Sequence, residues 1–234
     1  MREKIVGIIG GMGPEATVDL MARIIKVTPA VDDVDHIRMI VDNNPKVPSR
    51  IKALIDGNGE SPIPHLQEMA RRLESWGVDF LAMPCNTAHH YHLDIQKAVT
   101  IKVLNMIDLT VESAIEQYPD LKRAGLLAST AVIRLKLFER PFSAKKVIIQ
   151  TPADRNQMGI MHAIKKIKTS NYGGEVVEAI QLAADDLVEK GAEVLLVACT
   201  EISIISKQIA STVRILDSAQ ILAESIVRVA RNDP

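Results

Sequence analysis

The sequence predicts an α/β protein of two pseudo-symmetric lobes, each a mostly parallel sheet flanked by helices, with an active site in the cleft between them. Three observations predict it. Short apolar runs alternate with longer stretches of helical periodicity, the pattern of parallel sheets covered by helices on both faces. The pattern then restarts near the middle, where Lys122-Arg123-Ala124-Gly125-Leu126-Leu127-Ala128 resembles Lys4-Ile5-Val6-Gly7-Ile8-Ile9-Gly10. Further along, Leu73-Glu74-Ser75-Trp76-Gly77-Val78-Asp79 is matched by Leu187-Val188-Glu189-Lys190-Gly191-Ala192-Glu193. In each half a cysteine is the eighth residue after the glycine, with a threonine just beyond it. The two cysteines, Cys85 and Cys199, lie 114 residues apart. That is too long for a solenoid repeat and fits a duplicated α/β unit. The first lobe is expected over residues 1–107, with 218–234 packing back onto it, and the second over 108–217.

Each element follows from its local pattern. Lys4 to Ile9 reads as a buried strand, and Gly10-Gly11-Met12-Gly13-Pro14 gives a tight turn with proline at the first helical position. Ala16 to Val27 carries helical periodicity. Ile37 to Val41 is the next strand, ended by Asp42-Asn43-Asn44-Pro45. Residues 45 to 64 are rich in Pro and Gly, with a short helical piece at Arg50 to Ile55; a connection of that length is usually functional. Pro64 opens a helix to Trp76, Gly77 stops it, and Val78 to Met83 is a strand leading to Cys85. A helix over Thr87 to Ala98, a strand over Ile101 to Met106 and a helix capped by Asp108 and running to Gln117 complete the first half. The second half reads strand at Lys122 to Ala128, helix at Val132 to Phe138, strand at Lys146 to Gln150 and helix at Asn156 to Lys166. After the Gly173-Gly174 break come a long helix at Glu175 to Lys190, a strand at Glu193 to Ala198 and a helix at Ser203 to Ile209. A strand at Val213 to Leu216 and a helix at Ala219 to Arg231 close it.

Composition narrows the function. The chain of 234 residues is 47% hydrophobic, enough for a globular core, but only 3% aromatic, so that core rests on aliphatic residues and Met. A net charge of -1, with both signs spread along the chain, argues against a nucleic-acid partner or an anionic membrane surface, either of which favours a basic patch. No apolar run approaches the roughly 18 residues of a membrane span, and Met1-Arg2-Glu3-Lys4 carries no secretory pattern. A cytoplasmic location with both thiols reduced is the expectation.

The chemistry centres on those thiols. An isolated free cysteine is usually a small buried hydrophobe, but repetition at equivalent strand ends points elsewhere. In a strand-to-helix turn, backbone N–H groups and the helix dipole favour a thiolate, bringing the thiol pKa down from roughly 8.5 towards neutral. Two thiols on opposite sides of a carbon suit inversion of that centre: a thiolate removes a proton from one face, a thiol delivers one to the other, and the roles swap in reverse. Three other readings compete. The cysteines could pair as a disulfide. Cys85, His89 and His92, at i, i+4 and i+7 with His90 nearby, could share a helix face and ligate zinc. Gly11-Met12-Gly13-Pro14-Glu15-Ala16 meets a loose G-x-G-x-x-A dinucleotide pattern, with Asp42 ending the next strand, as in a nucleotide-dependent oxidoreductase. Pro14 removes one N–H from the helix start, and the second half holds no ligand cluster to match the histidines.

The segments Gly7-Ile8-Ile9-Gly10-Gly11-Met12-Gly13-Pro14, Asn43-Asn44-Pro45, Met83-Pro84-Cys85-Asn86-Thr87-Ala88-His89 and Cys199-Thr200-Glu201 resemble the cofactor-independent aspartate racemases, within the aspartate/glutamate racemase superfamily. The resemblance runs along nearly the whole chain. It implies two α/β lobes with the active site between them, a homodimer, Cys85 and Cys199 as the acid/base pair, and no pyridoxal phosphate; no metal or other cofactor is expected. It also implies that Arg50 binds the side-chain carboxylate, a planar fork meeting a carboxylate at two points. Asn86 and Thr87, with Ala88 beside them, would hold the α-carboxylate; Thr200 is their counterpart in the second lobe, and Thr130 a further candidate. Lys165 matches a substrate-contacting lysine, with Lys166 or Lys168 able to slip into its register. His89 fits the pattern as a partner of Cys85, whereas His90 and His92 read as surface residues.

Branches of the superfamily differ at readable positions. Glutamate racemases usually carry a histidine two residues after the second cysteine, where this chain has Glu201, and open with an acidic residue and a Ser-Gly turn, where it has Gly10-Gly11-Met12-Gly13. Arylmalonate decarboxylases lack the first cysteine. Aspartate is therefore the expected substrate. Glutamate or a broad range of amino acids is the runner-up within the superfamily, and a non-catalytic dicarboxylate or amino-acid binding protein the alternative outside catalysis.

Overall fold

Within the residues that the computed structural model describes, 3–232, the apolar runs form two sheets of four parallel strands each. In chain order the elements are β1 (Val6–Gly10), α1 (Pro14–Val27), β2 (Met39–Asn43), α2 (Ile63–Ser75), β3 (Phe80–Ala82), α3 (His92–Gln96) and β4 (Lys102–Val103). They continue with α4 (Met106–Gln117), β5 (Arg123–Ala128), α5 (Thr130–Arg134), α6 (Glu139–Ala144), β6 (Ile148–Gln150) and α7 (Asp154–Ile167). The last are α8 (Gly174–Glu189), β7 (Val194–Ala198), α9 (Thr200–Ile205), β8 (Arg214–Asp217) and α10 (Ser218–Arg231). The sheets run β2-β1-β3-β4 and β6-β5-β7-β8, the same order twice. The strands β1 and β7 are buried along their whole length, as parallel strands covered on both faces must be. Contacts divide the chain into one unit of the residues through Met106 together with those from Ala219 onward, and a second of Ile107–Ser218. In the first unit α10 is tied back by Lys4 N–H to Ala230 O (2.8 Å) and by the Arg231 guanidinium to the Asp35 carbonyl (2.9 Å). Among the described residues no helix is long and apolar enough to cross a membrane.

The repeat seen in the sequence is also present in the packing. Gly7 of β1 and Gly125 of β5 occupy equivalent places. A Cβ on Gly7 would lie 2.7 Å from Leu81 Cδ2, 2.9 Å from Val78 Cγ2 and 3.3 Å from Leu73 Cβ. A Cβ on Gly125 would lie 2.9 Å from Leu195 Cδ2, 3.1 Å from Ala192 Cβ and 3.0 Å from Leu187 Cβ. These are the residues matched in the alignment of the two halves, so a glycine is needed twice for one reason: helix and strand approach too closely for a side chain. The strand entrances repeat as well. Ile5 N–H donates to Asp79 Oδ2 (2.8 Å), and Lys122 N–H to Glu193 Oε2 (2.9 Å).

Some elements depart from expectation, each for a local reason. The second strand starts two residues later than expected, pairing Gly10 with Asn43. The connection after it holds one π-helical turn, Lys52–Asp56, closed by Gly57 at φ 69°. Residues 87 to 98 do not form one helix; Thr87–Tyr91 is a 3-10 turn and α3 follows. In an α-helix the His89 N–H would bond the Cys85 carbonyl. Here the His89 ring Nδ1 takes that oxygen at 2.8 Å, Ala88 N–H shares it at 3.2 Å, and His89 N–H falls back to Asn86 O. The expected strand over 101–106 shrinks to two residues, because Met106 already opens α4, and Asp108 lies inside its first turn rather than capping it. Residues 132 to 138 split after Arg134. In the last quarter, α9 begins directly after Cys199 rather than at Ser203.

Candidate active site

The first unit gathers its candidate residues at the carboxyl ends of β1, β2 and β3. After β1 the chain turns at Gly11, with φ at 90°; a Cβ there would stand 2.2 Å from the Asn44 backbone, so the turn and the segment after β2 can touch only because this residue is glycine. Thr17 of α1 braces the turn by accepting the Gly11 N–H at 2.9 Å. Arg50 is half-buried and reaches back to it. Its Nη2 donates to Met12 O (3.3 Å), and its Nη1 to Pro48 O (3.0 Å) and Val47 O (3.3 Å). Its Nε is buried with no hydrogen-bond partner among the described residues. Three carbonyls thus fix the guanidinium plane, while Nε–H and one Nη2 hydrogen remain uncommitted.

Cys85 sits three residues past β3, buried at 7% exposure, in the same apolar cluster as Met12, Val47 and Tyr91. Asn86 and Ala88 are buried beside it and Thr87 is half-buried. His89 acts on the backbone of this cysteine rather than on its thiol. Met106 N–H donates to Nε2 at 3.0 Å, so the proton lies on Nδ1 and is donated to the Cys85 carbonyl. Burial, with the adjacent His92 adding to it, pulls the His89 pKa from 6.5 down to about 4 against the pull of the Cys85 carbonyl. The zinc reading fails on this geometry. Both His89 nitrogens are engaged, His92 Nε2 meets Val103 O at 2.9 Å, and the segment is not the continuous helix that would align the three side chains.

In the second unit Cys199 follows β7 directly, in extended conformation as the residue before α9, buried at 6% exposure. Its thiol donates to Glu201 Oε2 at 3.1 Å, and Glu201 Oε1 lies 3.6 Å from Lys168 Nζ. The expected depression of the thiol pKa does not hold for Cys199. Burial first, then the Glu201 charge and its hydrogen bond, push it well above the ordinary value, with Lys168 pulling the other way. Thr200 is buried next to it. Thr130 follows β5; its N–H faces Met161 Sδ at 3.2 Å, and Gln157 Nε2 bridges Thr130 Oγ1 (3.2 Å) and Ala128 O (3.0 Å). Lys165 is exposed and Lys166 pairs with Glu175, so of the three lysines weighed it is Lys168 that stands beside the second cysteine's carboxylate.

Residues 9–226 match the model of the family described as Asp/Glu/hydantoin racemases. The chain belongs to that family. The broad specificity amino-acid racemase RacX of Bacillus subtilis is 28% identical to it over 238 residues, 95% of this chain and 96% of that one. Among solved structures, the Picrophilus torridus aspartate racemase shares 31% identity and superposes with a TM-score of 0.85, covering 97% of this chain and 94% of its own. The Campylobacter jejuni glutamate racemase, at 19% identity and a TM-score of 0.70, shares the fold over 98% of this chain and 86% of its own.

The strand-end cysteines are singled out by spacing and Arg50 by the family resemblance; the structure places Cys85 and Arg50 in the first unit and Cys199 in the second. The sequence reading missed Glu201 as a thiol partner, Lys168 as that residue's counter-charge, and Gln157 beside Thr130. A carboxylate two residues past a strand-end cysteine was the one available signal for Glu201.

Proposed function

We propose that this protein interconverts the enantiomers of aspartate by two-base proton transfer, without pyridoxal phosphate, Cys85 and Cys199 being the acid and base. The observation that carries the reading is the doubled placement of a buried cysteine just past the third strand of each four-stranded unit, in a chain of the Asp/Glu/hydantoin racemase family. A base on one side and an acid on the other is what inversion at an α-carbon demands, and a duplicated unit supplies two such groups.

In this reading one cysteine, as thiolate, takes the α-proton and the other, as thiol, protonates the carbanion. Asn86, Thr87 and Thr200, with Ala88 and Thr130 close by in sequence or strand position, hold the α-carboxylate, where charge builds in the transition state. Arg50 takes the side-chain carboxylate on its free Nε and Nη2 hydrogens, its plane already fixed by three carbonyls. Lys168 replaces Lys165 as the lysine of the site. The Picrophilus torridus aspartate racemase supports aspartate as the substrate. The similarity to RacX favours a second reading, in which side chains other than a carboxylate are also accepted. A homodimer in the cytoplasm is the setting we infer.

The deciding experiment follows L- and D-aspartate separately in deuterated solvent, with wild type, Cys85→Ser and Cys199→Ser, beside a panel of other amino acids. Wild type should exchange the α-proton and racemise, and each serine variant should lose racemisation by a factor of at least about a hundred. Wild-type rates in both single variants sink the two-base mechanism. Equal turnover of uncharged amino acids sinks the choice of aspartate in favour of broad specificity.

A further inference from the structure

Glu201 is 7% exposed, yet one of its oxygens faces a thiol and the other a lysine. A buried carboxylate is costly unless paired, and one placed against a thiol opposes that thiol's ionisation. Such an arrangement works against a simple thiolate base. It becomes intelligible if thiol and carboxylate ionise as one unit.

We propose that Cys199 and Glu201 form a proton-sharing pair, with Lys168 as its counter-charge, and that this pair, rather than the thiol alone, is the second acid/base group. The inference rests on the racemase reading for its catalytic meaning, but the pairing itself stands on the geometry. With one proton, the pair is Cys199 S–H facing the Glu201 carboxylate. Moving that proton along the hydrogen bond, whose sulfur and oxygen are 3.1 Å apart, breaks S–H and forms O–H, giving a thiolate facing a carboxylic acid. The thiolate can then take an α-proton: the C–H bond breaks, S–H forms, and the electron pair stays on carbon. The pair now holds two protons. As an acid it runs in reverse: S–H breaks as C–H forms, and Glu201 keeps its own proton. Water exchanges the second proton between turnovers. The pair therefore cycles between one and two protons and never carries two negative charges. With one proton, the ammonium of Lys168 makes the trio neutral. Glu201 and Lys168 are the charged groups that act on this thiol, which otherwise belongs to the apolar cluster that includes Ile164 of α7 and Ile202 of α9.

Glu201 is thus a positioning and proton-holding residue acting through Cys199. In a Cys85→Ser background the ultraviolet absorbance of the Cys199 thiolate can be titrated against the double serine variant. Glu201→Gln removes the opposing charge, so the thiolate should form at least about one pH unit lower; Lys168→Met removes the favourable charge, so it should form higher. Opposite displacements support the pair. Superimposable titrations of parent and Glu201→Gln overturn it, and should Glu201→Gln fail to fold, an unmoved Lys168→Met titration overturns it instead. With Cys85 intact, Glu201→Gln should lower kcat by about tenfold or more with KM little changed, and Glu201→Asp should restore part of the loss. A displaced titration in a protein that never exchanges an α-proton would reject the racemase reading and leave the pair standing. Normal exchange with unmoved titrations would do the converse.

Discussion

Acid should destabilise this protein through one identifiable residue. His89 is buried with its Nε2 accepting the Met106 N–H and its Nδ1–H donating to the Cys85 carbonyl, so a second ring proton would displace the Met106 N–H, with the Leu104 carbonyl offsetting only the smallest part of the cost. Its pKa is about 4 in the folded chain against 6.5 as the ordinary value. The unfolded chain therefore binds the proton first. Stability from neutral His89 is fully present above about pH 6.5, declines as pH falls from there towards about 4, and changes no further below that. The slope is about 1.4 kcal/mol per pH unit, so the whole window is worth on the order of 3 kcal/mol. That is a large part of the roughly 5–15 kcal/mol of a typical domain.

Urea unfolding of wild type and His89→Asn across this window isolates the residue, because all other titrating groups are common to both. The variant should be less stable near neutrality, by roughly 1–3 kcal/mol, since Met106 N–H loses its acceptor. The gap should then close with acidification, and reverse where it starts below about 3 kcal/mol, the change being on the order of 3 kcal/mol. A gap that stays constant from neutral pH down to the lower end of the window would refute the account of His89 as a neutral backbone clamp.

Two further outcomes follow from the packing and from Arg50. Gly125→Ala places a methyl group 3.0 Å from Leu187 Cβ and 3.1 Å from Ala192 Cβ, atoms that cannot swing away, and should cost about 1–3 kcal/mol in urea unfolding; Gly7→Ala, with the equivalent neighbours, should cost a similar amount. Arg50→Lys keeps the charge but loses the planar fork and the three carbonyl bonds that orient it, so KM for aspartate should rise about tenfold or more, with a smaller change in kcat.

The doubled architecture was legible because its cause is local and repeated. Gly7 and Gly125 sit where helix and strand touch, Gly77 and Gly191 end the helices at positive φ, and each of the latter is followed eight residues later by a cysteine. Such features leave a spacing in the chain. The role of His89 was hidden for the opposite reason. Its i, i+4 spacing from Cys85 fits a helix face, a metal site or a side chain bonding back to a carbonyl equally well, and only the 3-10 turn at Thr87–Tyr91 decides among them. Lys168 was harder still, since it reaches Glu201 from the end of another helix, and three nearby lysines look alike in sequence.

Duplication explains why two cysteines lie at equivalent strand ends; it does not explain why their surroundings differ. Around Cys85, a neutral histidine fixes the backbone and leaves the thiol to its own chemistry. Around Cys199, a carboxylate engages the thiol itself and a lysine balances the charge. A substrate that must lose a proton to one group and gain one from the other needs the two in opposite protonation states at the moment of binding. Identical surroundings would leave that choice to chance. In the two-base reading, a carboxylate that shares a proton with one thiol gives that side a defined state, one proton as base and two as acid, so the divergence at Glu201 is where the two copies of one fold come to differ.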